Sequence, residues 1–255
     1  MERFESFDGT AIAYTIAGEG PDALLLHGFA ADHHVNWVAP GVVDALVAAG
    51  RRVIAYDARG HGQSDKPHDP AAYENDAMAR DARALLDHLG VERVDVVGYS
   101  MGALVTTRLV PDEPRTRSAV LGGIGGRSRG RRGLSGEQRA AIATALETDD
   151  PAGIANASAR AFRSFADHTG ADRLALAAIQ RAATPEARTR LEAFAVPTLV
   201  IAGDGDTLAG SPQMLAERIP GAVARVVKGS HLGAVADPAF RAAVVEFVTG
   251  AVAPT

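Results

Sequence analysis

The chain has 255 residues, with 26 Lys or Arg against 31 Asp or Glu, so its formal net charge is −5. A negative chain repels phosphate backbones, and we therefore expect no nucleic-acid partner. The sequence holds no cysteine, which excludes a thiol nucleophile, a disulfide framework and a thiolate metal site. The length suits one large α/β domain that carries an insertion.

The N-terminal segment does not have the pattern of a secretory signal peptide. Glu2 and Glu5 stand where such a peptide carries basic residues, and no long apolar run follows them. No stretch of the chain reaches the roughly 20 apolar residues that a membrane-spanning helix needs. We therefore expect a cytoplasmic protein with no membrane partner.

The chain opens with a predicted antiparallel hairpin, because residues 4–7 and 12–16 flank Asp8-Gly9, a dipeptide that favours tight turns. Six further apolar runs then alternate with amphipathic segments, which is typical of a mostly parallel sheet covered by helices. Their continuous apolar character predicts strands that are buried on both faces. The six predicted strands cover residues 23–26, 53–56, 94–97, 119–122, 198–201 and 224–227.

Helices are predicted between these strands, over residues 42–49, over residues 76–89 and from Ser100 onward. In the second of them Leu85, Leu86 and Leu89 form an apolar stripe, and Gly90 ends the helix. The pattern therefore places the chain in the α/β class.

The alternation of strands and helices stops between about Gly125 and Ala195. We interpret residues 126–194 as a helical cap inserted between a first core part, 1–125, and a second, 195–255. Ile154, Ala161, Phe162 and Phe165 are spaced to share one helix face. That face either lines a substrate pocket or packs the cap itself, and the spacing fits both interpretations.

A basic run interleaved with glycine opens the insertion, with arginines at positions 127, 129, 131 and 132. This composition favours an exposed, solvated loop. The alternative is a loop that binds an acidic substrate or a membrane phosphate.

Gly98-Tyr99-Ser100-Met101-Gly102 carries the strongest functional signal. It follows the apolar run 94–97 and precedes a helical pattern that begins at Ala103. Between a strand and a helix, G-x-S-x-G forces a sharp turn that exposes the serine hydroxyl beside the first N–H groups of the helix. The alternative is an ordinary helix start with Ser100 as its N-cap. The flanking strand and helix favour a nucleophile.

A serine hydroxyl is a poor nucleophile at neutral pH and needs a base and an orienting acid. Candidates follow two later strands, Gly203-Asp204-Gly205-Asp206 after one and Lys228-Gly229-Ser230-His231 after the next. Because the carboxyl ends of parallel strands meet at one edge of a sheet, we expect Ser100, His231 and one aspartate to meet there.

The whole chain resembles the α/β-hydrolase fold family. Leu24-Leu25-Leu26-His27-Gly28-Phe29 is similar to the oxyanion loop of that family, and residues 56–65, YDARGHGQSD, to its second strand-end turn. The serine and histidine segments complete the resemblance, and the insertion resembles the family's cap domain. The resemblance implies an α/β-hydrolase fold with a mostly parallel eight-stranded sheet, helices on both faces and a small helical cap.

By this resemblance Ser100 is the nucleophile, His231 the general base and Asp206, rather than Asp204, the orienting acid. Their chain order is the one that the α/β-hydrolase arrangement requires. The backbone N–H groups of Phe29 and Met101 would form the oxyanion hole.

Two positions depart from the family pattern. Ala103 stands where many relatives carry another glycine, and Asp32-His33-His34 occupies a loop that is usually small and polar. The shape of the pocket beside that loop is therefore open.

Several further residues carry metal-binding side chains, namely the histidines at 27, 33, 34 and 61 and the aspartates at 32 and 57. Their spacing matches no zinc signature, so we expect no metal. We interpret His27 as a brace of the oxyanion loop and His61 as a brace of its own turn. A calcium loop that begins at 204–206 is excluded, because Leu208 and Ala209 stand where an oxygen ligand and a turn glycine are required. The glycines of 122–126 do not form the G-x-G-x-x-G motif of a dinucleotide site, so we expect no cofactor.

These residues predict a serine hydrolase that cleaves a small carboxylic ester or lactone through an acyl-enzyme. The resemblance also permits hydrolysis of C–C bonds, cofactor-free perhydrolysis and acyl transfer with the same triad. A non-enzymatic ligand receptor on the same scaffold is a further alternative, which an intact triad disfavours.

Overall fold

The computed structural model describes residues 1–126, 134–182 and 190–250. In this part of the chain eight strands form one sheet in the order β1-β2-β4-β3-β5-β6-β7-β8. The strands are β1 (Glu2–Glu5), β2 (Ala11–Ala17), β3 (Asp22–Leu26), β4 (Arg52–Tyr56), β5 (Val94–Tyr99), β6 (Thr116–Gly122), β7 (Thr198–Gly203) and β8 (Val223–Val227).

The described helices lie between and after these strands. They are α1 (Val42–Ala48), α2 (Ala77–His88), α3 (Met101–Leu109), α4 (Gly136–Glu147), α5 (Ala157–Thr169), α6 (Arg173–Arg181), α7 (Pro212–Ala216) and α8 (Pro238–Thr249). The predicted ends of the first two helices differ from these bounds by one residue. Ser100 stays outside α3, because its backbone turns before the helix begins at Met101.

The pairing of the strands confirms the predicted α/β architecture. β1 and β2 form the antiparallel hairpin, β2 also runs antiparallel to β4, and the other neighbouring strands are parallel. β3 lies between β4 and β5, so the chain leaves β3 in one direction and later returns on its other side. The loops after β3 and β5 diverge at such a point, which makes it the expected place for a ligand.

Alternate residues of the strands pack against helices on opposite faces of the sheet. Leu24 and Leu26 of β3 contact the cluster that contains Leu85 of α2, whereas Leu25 contacts the cluster that contains Leu46 of α1 and Phe240 of α8. This alternation follows from the period of two along a strand. The sheet is therefore covered on both sides, as the apolar runs predicted.

The prediction that all the strands are buried on both faces was wrong for β8. Val223 and Val226 are 42% and 50% exposed. β8 lies at the edge of the sheet and pairs only with β7 among the described strands. An apolar run alone does not distinguish an edge strand from a central one.

The described part of the insertion is helical and consists mainly of α4, α5 and α6. Their buried side chains form one apolar group, which we call the cap cluster and which includes Ile142, Leu146, Ala166 and Leu176. Arg163 of α5 donates from Nη1 to the Ala145 carbonyl of α4 over 2.9 Å, which fastens these helices together. The division into core and cap at residues 126 and 194 stays a prediction.

The helix face predicted within the insertion holds only in part. Phe162 and Phe165 are half-buried and pack against the cap cluster, and Ile154 is buried just before α5 begins. Ala161 is exposed, so its assignment to this face was wrong. The arginine run at 127–132 lies outside the described residues.

None of the helices described combines the length and the apolar character that crossing a membrane requires.

Candidate active site

Ser100 stands at the turn between β5 and α3 in a backbone conformation that non-glycine residues seldom adopt, with φ 51° and ψ −109°. Gly98 and Gly102 make this turn possible. A Cβ on Gly98 would lie 2.5 Å from the Gly102 carbonyl oxygen, and a Cβ on Gly102 would lie 2.0 Å from that of Leu26. Such strain costs on the order of 1–3 kcal/mol and persists where the surrounding structure enforces it. The turn presents the Ser100 hydroxyl at the carboxyl end of the sheet.

Ser100, His231 and Asp206 form a continuous chain of hydrogen bonds. The Ser100 Oγ lies 2.8 Å from Nε2 of His231, and Nδ1 of His231 lies 2.8 Å from Oδ2 of Asp206. Because a carboxylate only accepts, His231 carries its proton on Nδ1 and leaves Nε2 free to accept from the serine. The three residues predicted to meet are therefore brought together.

Asp206 is held from both sides. Its side chain is fully buried, and Oδ1 accepts from the backbone N–H groups of Leu208 at 3.0 Å and Ala209 at 2.9 Å. These bonds leave Oδ2 facing the imidazole. The carboxylate therefore fixes both the orientation and the tautomer of His231.

Asp204 points elsewhere, although it is only two residues away. Its side chain bonds Nζ of Lys228 at 2.6 Å and the backbone N–H of Gly229 at 3.1 Å on the protein surface. The ammonium of Lys228 lowers the pKa of the Asp204 carboxyl below its usual range. Of the two aspartates, Asp206 alone contacts the histidine.

Tyr99 contacts both the backbone and the imidazole ring of His231. Its hydroxyl donates to the backbone carbonyl of His231 over 2.5 Å, and its ring lies 5.8 Å from the imidazole, centroid to centroid. The sequence analysis did not single out Tyr99. The only sequence feature that pointed to a role for Tyr99 was its position next to Ser100, because the His231 carbonyl that it bonds is 132 residues away in the chain.

The backbone N–H groups of Phe29 and Met101 lie on the two loops that diverge beside Ser100. Among the hydrogen bonds of the described residues, neither group donates to a protein acceptor. Met101 is the first residue of α3, where the positive end of the helix dipole favours an anion. Both groups are thus free to receive a negatively charged oxygen.

Asn36 fixes the start of the Phe29 loop. Its Oδ1 accepts from the Gly28 N–H over 2.8 Å, and a Cβ on Gly28 would lie 3.5 Å from the Ser100 Cβ. The sequence analysis missed Asn36. Its cue is a polar residue directly before Trp37 in the otherwise apolar segment 35–38.

His27 acts as a buried brace of this loop. Its Nδ1 donates to the Gly28 carbonyl over 2.8 Å, and Nε2 accepts from the backbone N–H of Ala58 over 3.0 Å. Burial lowers the pKa of His27, so the ring is held neutral in this tautomer. The structural role expected for His27 agrees with these contacts.

His61 does more than the expected bracing of its own turn. Nδ1 does bond the Arg59 carbonyl of that turn at 3.1 Å. Nε2, however, accepts from the backbone N–H of Ala30 in the oxyanion loop over 3.2 Å. Burial lowers the pKa of His61 to about 3, which keeps Nε2 available as an acceptor at neutral pH.

His33 and Asp57 form a second histidine–carboxylate pair. The Nδ1 and the backbone N–H of His33 bond Asp57 Oδ1 at 2.8 and 3.0 Å, and the Gln63 N–H bonds Oδ2 at 2.7 Å. Burial alone would raise the pKa of Asp57, but these hydrogen bonds outweigh it and lower the pKa to about 2. The bond to Asp57 in turn raises the pKa of His33. The pair ties two loops together and is not in contact with the triad.

The depressed pKa of Asp57 predicts a loss of stability in acid. A carboxyl with a pKa of 3.8 in the unfolded chain and about 2 in the fold stabilises the protein above pH 4 and loses that contribution as the pH falls toward 2. The loss attributable to Asp57 is about 2 kcal/mol. Urea unfolding at pH 5 and pH 2.5 should therefore show a smaller pH dependence for Asp57→Asn than for the wild type. Equal pH dependence in the two proteins would contradict this origin of acid sensitivity.

No group of three or more His, Cys, Asp or Glu side chains is arranged to hold a metal ion among residues 1–126, 134–182 and 190–250. His27, His33 and His61 are occupied by the contacts described above. His34 is exposed at the start of the short helical turn His34–Val38.

Comparison with known proteins agrees with this architecture. Residues 24–125 match the family model of the alpha/beta hydrolase fold. A fluoroacetate dehalogenase from a Burkholderia species is 41% identical over 104 residues, which are 39% of this chain and 32% of that protein. The chain thus matches about a third of the length of such curated relatives.

Two solved structures are similar over nearly their entire length. A hydrolase from Pseudomonas aeruginosa is 29% identical with a TM-score of 0.77, and the match covers 97% of each chain. The enol-lactonase of Burkholderia xenovorans is 27% identical with a TM-score of 0.81, covering 97% of this chain and all of that one.

The sheet order, the serine turn and these matches define one class of protein. The chain has the α/β-hydrolase fold.

Proposed function

We propose that this protein is a serine hydrolase that cleaves a carboxylic ester or a lactone through an acyl-enzyme. The observation that carries the proposal is the unbroken hydrogen-bond chain Ser100–His231–Asp206 beside two backbone N–H groups without protein acceptors. The similarity to an enol-lactonase over the whole chain adds support.

The chemistry follows from these groups. Nε2 of His231 takes the Ser100 proton as Oγ attacks the substrate carbonyl, and Asp206 stabilises the imidazolium that forms. The N–H groups of Phe29 and Met101 bind the tetrahedral oxyanion. His231 then protonates the leaving alcohol, and the acyl-enzyme remains on Oγ. Water activated by the same histidine releases the acid.

We prefer ester or lactone cleavage to the other reactions because it requires only the triad, the two backbone N–H groups and water. C–C bond hydrolysis, perhydrolysis and acyl transfer use the same triad with different substrates. A non-enzymatic receptor has no need for a serine in a strained turn with its proton acceptor 2.8 Å away. The activated serine is therefore the point at which an experiment separates enzyme from receptor.

A fluorophosphonate probe tests the proposal directly, since it labels a serine only when that serine is activated as a nucleophile. We expect one label per wild-type chain and none on Ser100→Ala. Ser164→Ala is the matched control, because Ser164 is exposed on α5 and should leave labelling unchanged. An unlabelled wild type would argue for a receptor.

A screen of esters, lactones and diketones of graded size then identifies the bond that is cleaved.

A further inference from the structure

The oxyanion loop is attached to the cap as well as to the sheet. The Thr169 Oγ1, at the end of α5, donates to the backbone carbonyl of Ala30 over 2.9 Å. On the other side of the same residue, the Ala30 N–H donates to Nε2 of His61 over 3.2 Å. Both polar backbone groups of Ala30 are therefore bound, one to the cap and one to the core.

The side chains of the loop repeat this double attachment. The Phe29 ring makes an edge contact with the Phe162 ring of α5 at 5.8 Å and another with the His61 ring at 5.9 Å, centroid to centroid. The Ala30 methyl is completely buried within the cap cluster. Phe29, whose N–H is proposed to bind the oxyanion, thus packs directly on α5.

The backbone of Ala30 is strained. Its φ is +60°, in the left-handed region that glycine occupies without cost but that a Cβ disfavours. Strain of this kind persists only where surrounding contacts enforce it, and it concentrates at functional sites. The contacts available to enforce it here are those from His61, Thr169 and the cap cluster.

We infer that Thr169 is a positioning residue for the oxyanion hole, so that the place of α5 sets the aim of the Phe29 N–H. The inference rests on the proposed function, because it concerns the same site. The Ala30 carbonyl that Thr169 bonds lies two peptide units after the Phe29 N–H, and the Phe29 ring itself contacts Phe162 of α5. A shift of α5 therefore acts on the loop on both sides of the Phe29–Ala30 peptide. The cap would therefore contribute to the chemical step as well as to enclosing the substrate.

The Thr169 hydroxyl also lies within hydrogen-bond distance of two carbonyl groups of its own helix, so it can exchange the Ala30 carbonyl for one of them. Oγ1 lies 3.1 Å from the Phe165 carbonyl and 3.2 Å from that of Ala166, both within α5. A hydroxyl has one hydrogen, so it donates fully either to Ala30 or back to its own helix. A switch to the helix keeps the hydroxyl donor paired, whereas the buried Ala30 carbonyl loses its bond to Thr169.

The test compares Thr169→Val, which removes the hydroxyl at nearly constant volume, with Thr169→Ser, which keeps it. Complete loss of one oxyanion donor costs about 10²–10³ in kcat, and a loosened donor should cost less, about 10-fold. We expect kcat for an activated ester to fall about 10-fold in the valine variant with KM nearly unchanged. The serine variant should stay within about twofold of the wild type. Ser164→Ala, which removes an exposed hydroxyl from the same helix, should change neither constant.

Amide hydrogen exchange of the segment 27–33 supplies a readout that does not depend on catalysis. Exchange in this segment should be faster in Thr169→Val than in the wild type, and Thr169→Ser should exchange at the wild-type rate. Together with the kcat loss, this result supports the inference. Unchanged exchange, faster exchange with unchanged kcat, or equal loss in the valine and serine variants would overturn it. If the wild type shows no Ser100-dependent activity, the proposed function fails, and the exchange rates alone decide whether the cap holds the loop.

Discussion

Replacing Ser100 by alanine is expected to lower kcat for a simple activated ester by at least about 10⁴-fold, since removal of a triad nucleophile costs up to about 10⁶-fold. Only the Oγ that lies 2.8 Å from His231 is lost. The glycines that permit the turn remain, and alanine has a Cβ like serine, so the backbone conformation is retained. Residual rate above that of water would come from the oxyanion hole and substrate binding.

The measurement is steady-state hydrolysis, with circular dichroism and thermal unfolding to show that the fold is intact. Ser164→Ala serves as the matched control, because it removes the same atom from an exposed position on α5. If Ser100→Ala stayed within tenfold of the wild type, the hydroxyl could not be the nucleophile. The proposed function would then be withdrawn.

Replacing Asp206 by asparagine is expected to lower kcat by about 10³–10⁴-fold, because the amide selects the wrong imidazole tautomer. The two backbone N–H groups of Leu208 and Ala209 bond Oδ1, and they would keep the amide oxygen on that side. The amide nitrogen then faces Nδ1 of His231 and donates to it. The imidazole must place its own proton on Nε2, where it cannot accept the proton of Ser100.

Asp204→Asn is the internal control for this prediction. It makes the same chemical change two residues away, at a carboxylate that bonds Lys228 and Gly229 on the surface. We expect its kcat to stay within a few-fold of the wild type, because exposed ion pairs contribute little. A large loss in Asp204→Asn together with near-normal activity in Asp206→Asn would exchange the proposed roles of the two aspartates.

Much of the candidate site was accessible from the sequence because the fold is a parallel sheet. Ser100, Asp206 and His231 each follow an apolar run, and loops at the carboxyl ends of neighbouring parallel strands must converge. The strand, the turn and the helix around Ser100 are encoded within a few residues by the two glycines and the apolar segments on either side. Such local and periodic signals survive in the linear sequence.

The choice between Asp204 and Asp206 was not available from this pattern alone. Both follow the same strand, and the sequence analysis preferred Asp206 only by family resemblance. In the structure the choice depends on which carboxylate turns inward, and Lys228 and Gly229 hold Asp204 outward. Hydrogen bonds formed only after β7 and β8 are aligned decide this.

Two of the residues that the sequence analysis missed, Tyr99 and Thr169, have partners far away in the chain. Tyr99 bonds the backbone of His231 across 132 residues, and Thr169 bonds that of Ala30 across 139 residues. Neither the residue type nor its position in a motif predicts a hydrogen bond from a side chain to such a distant backbone carbonyl. The same reason explains why His61 was assigned to its own turn, since its bond to Ala30 spans 31 residues and two loops.

The sequence by itself therefore determined the class of fold, the strained serine turn and the set of strand ends at which partners for Ser100 would lie. These features depend on apolar periodicity, glycine positions and the convergence of parallel strands. Only the tertiary structure decided which aspartate faces His231, that β8 is an exposed edge, and that Thr169 bonds the strained backbone of Ala30. Those features depend on side-chain directions and on contacts between distant segments, which come into being when the sheet and the cap pack together.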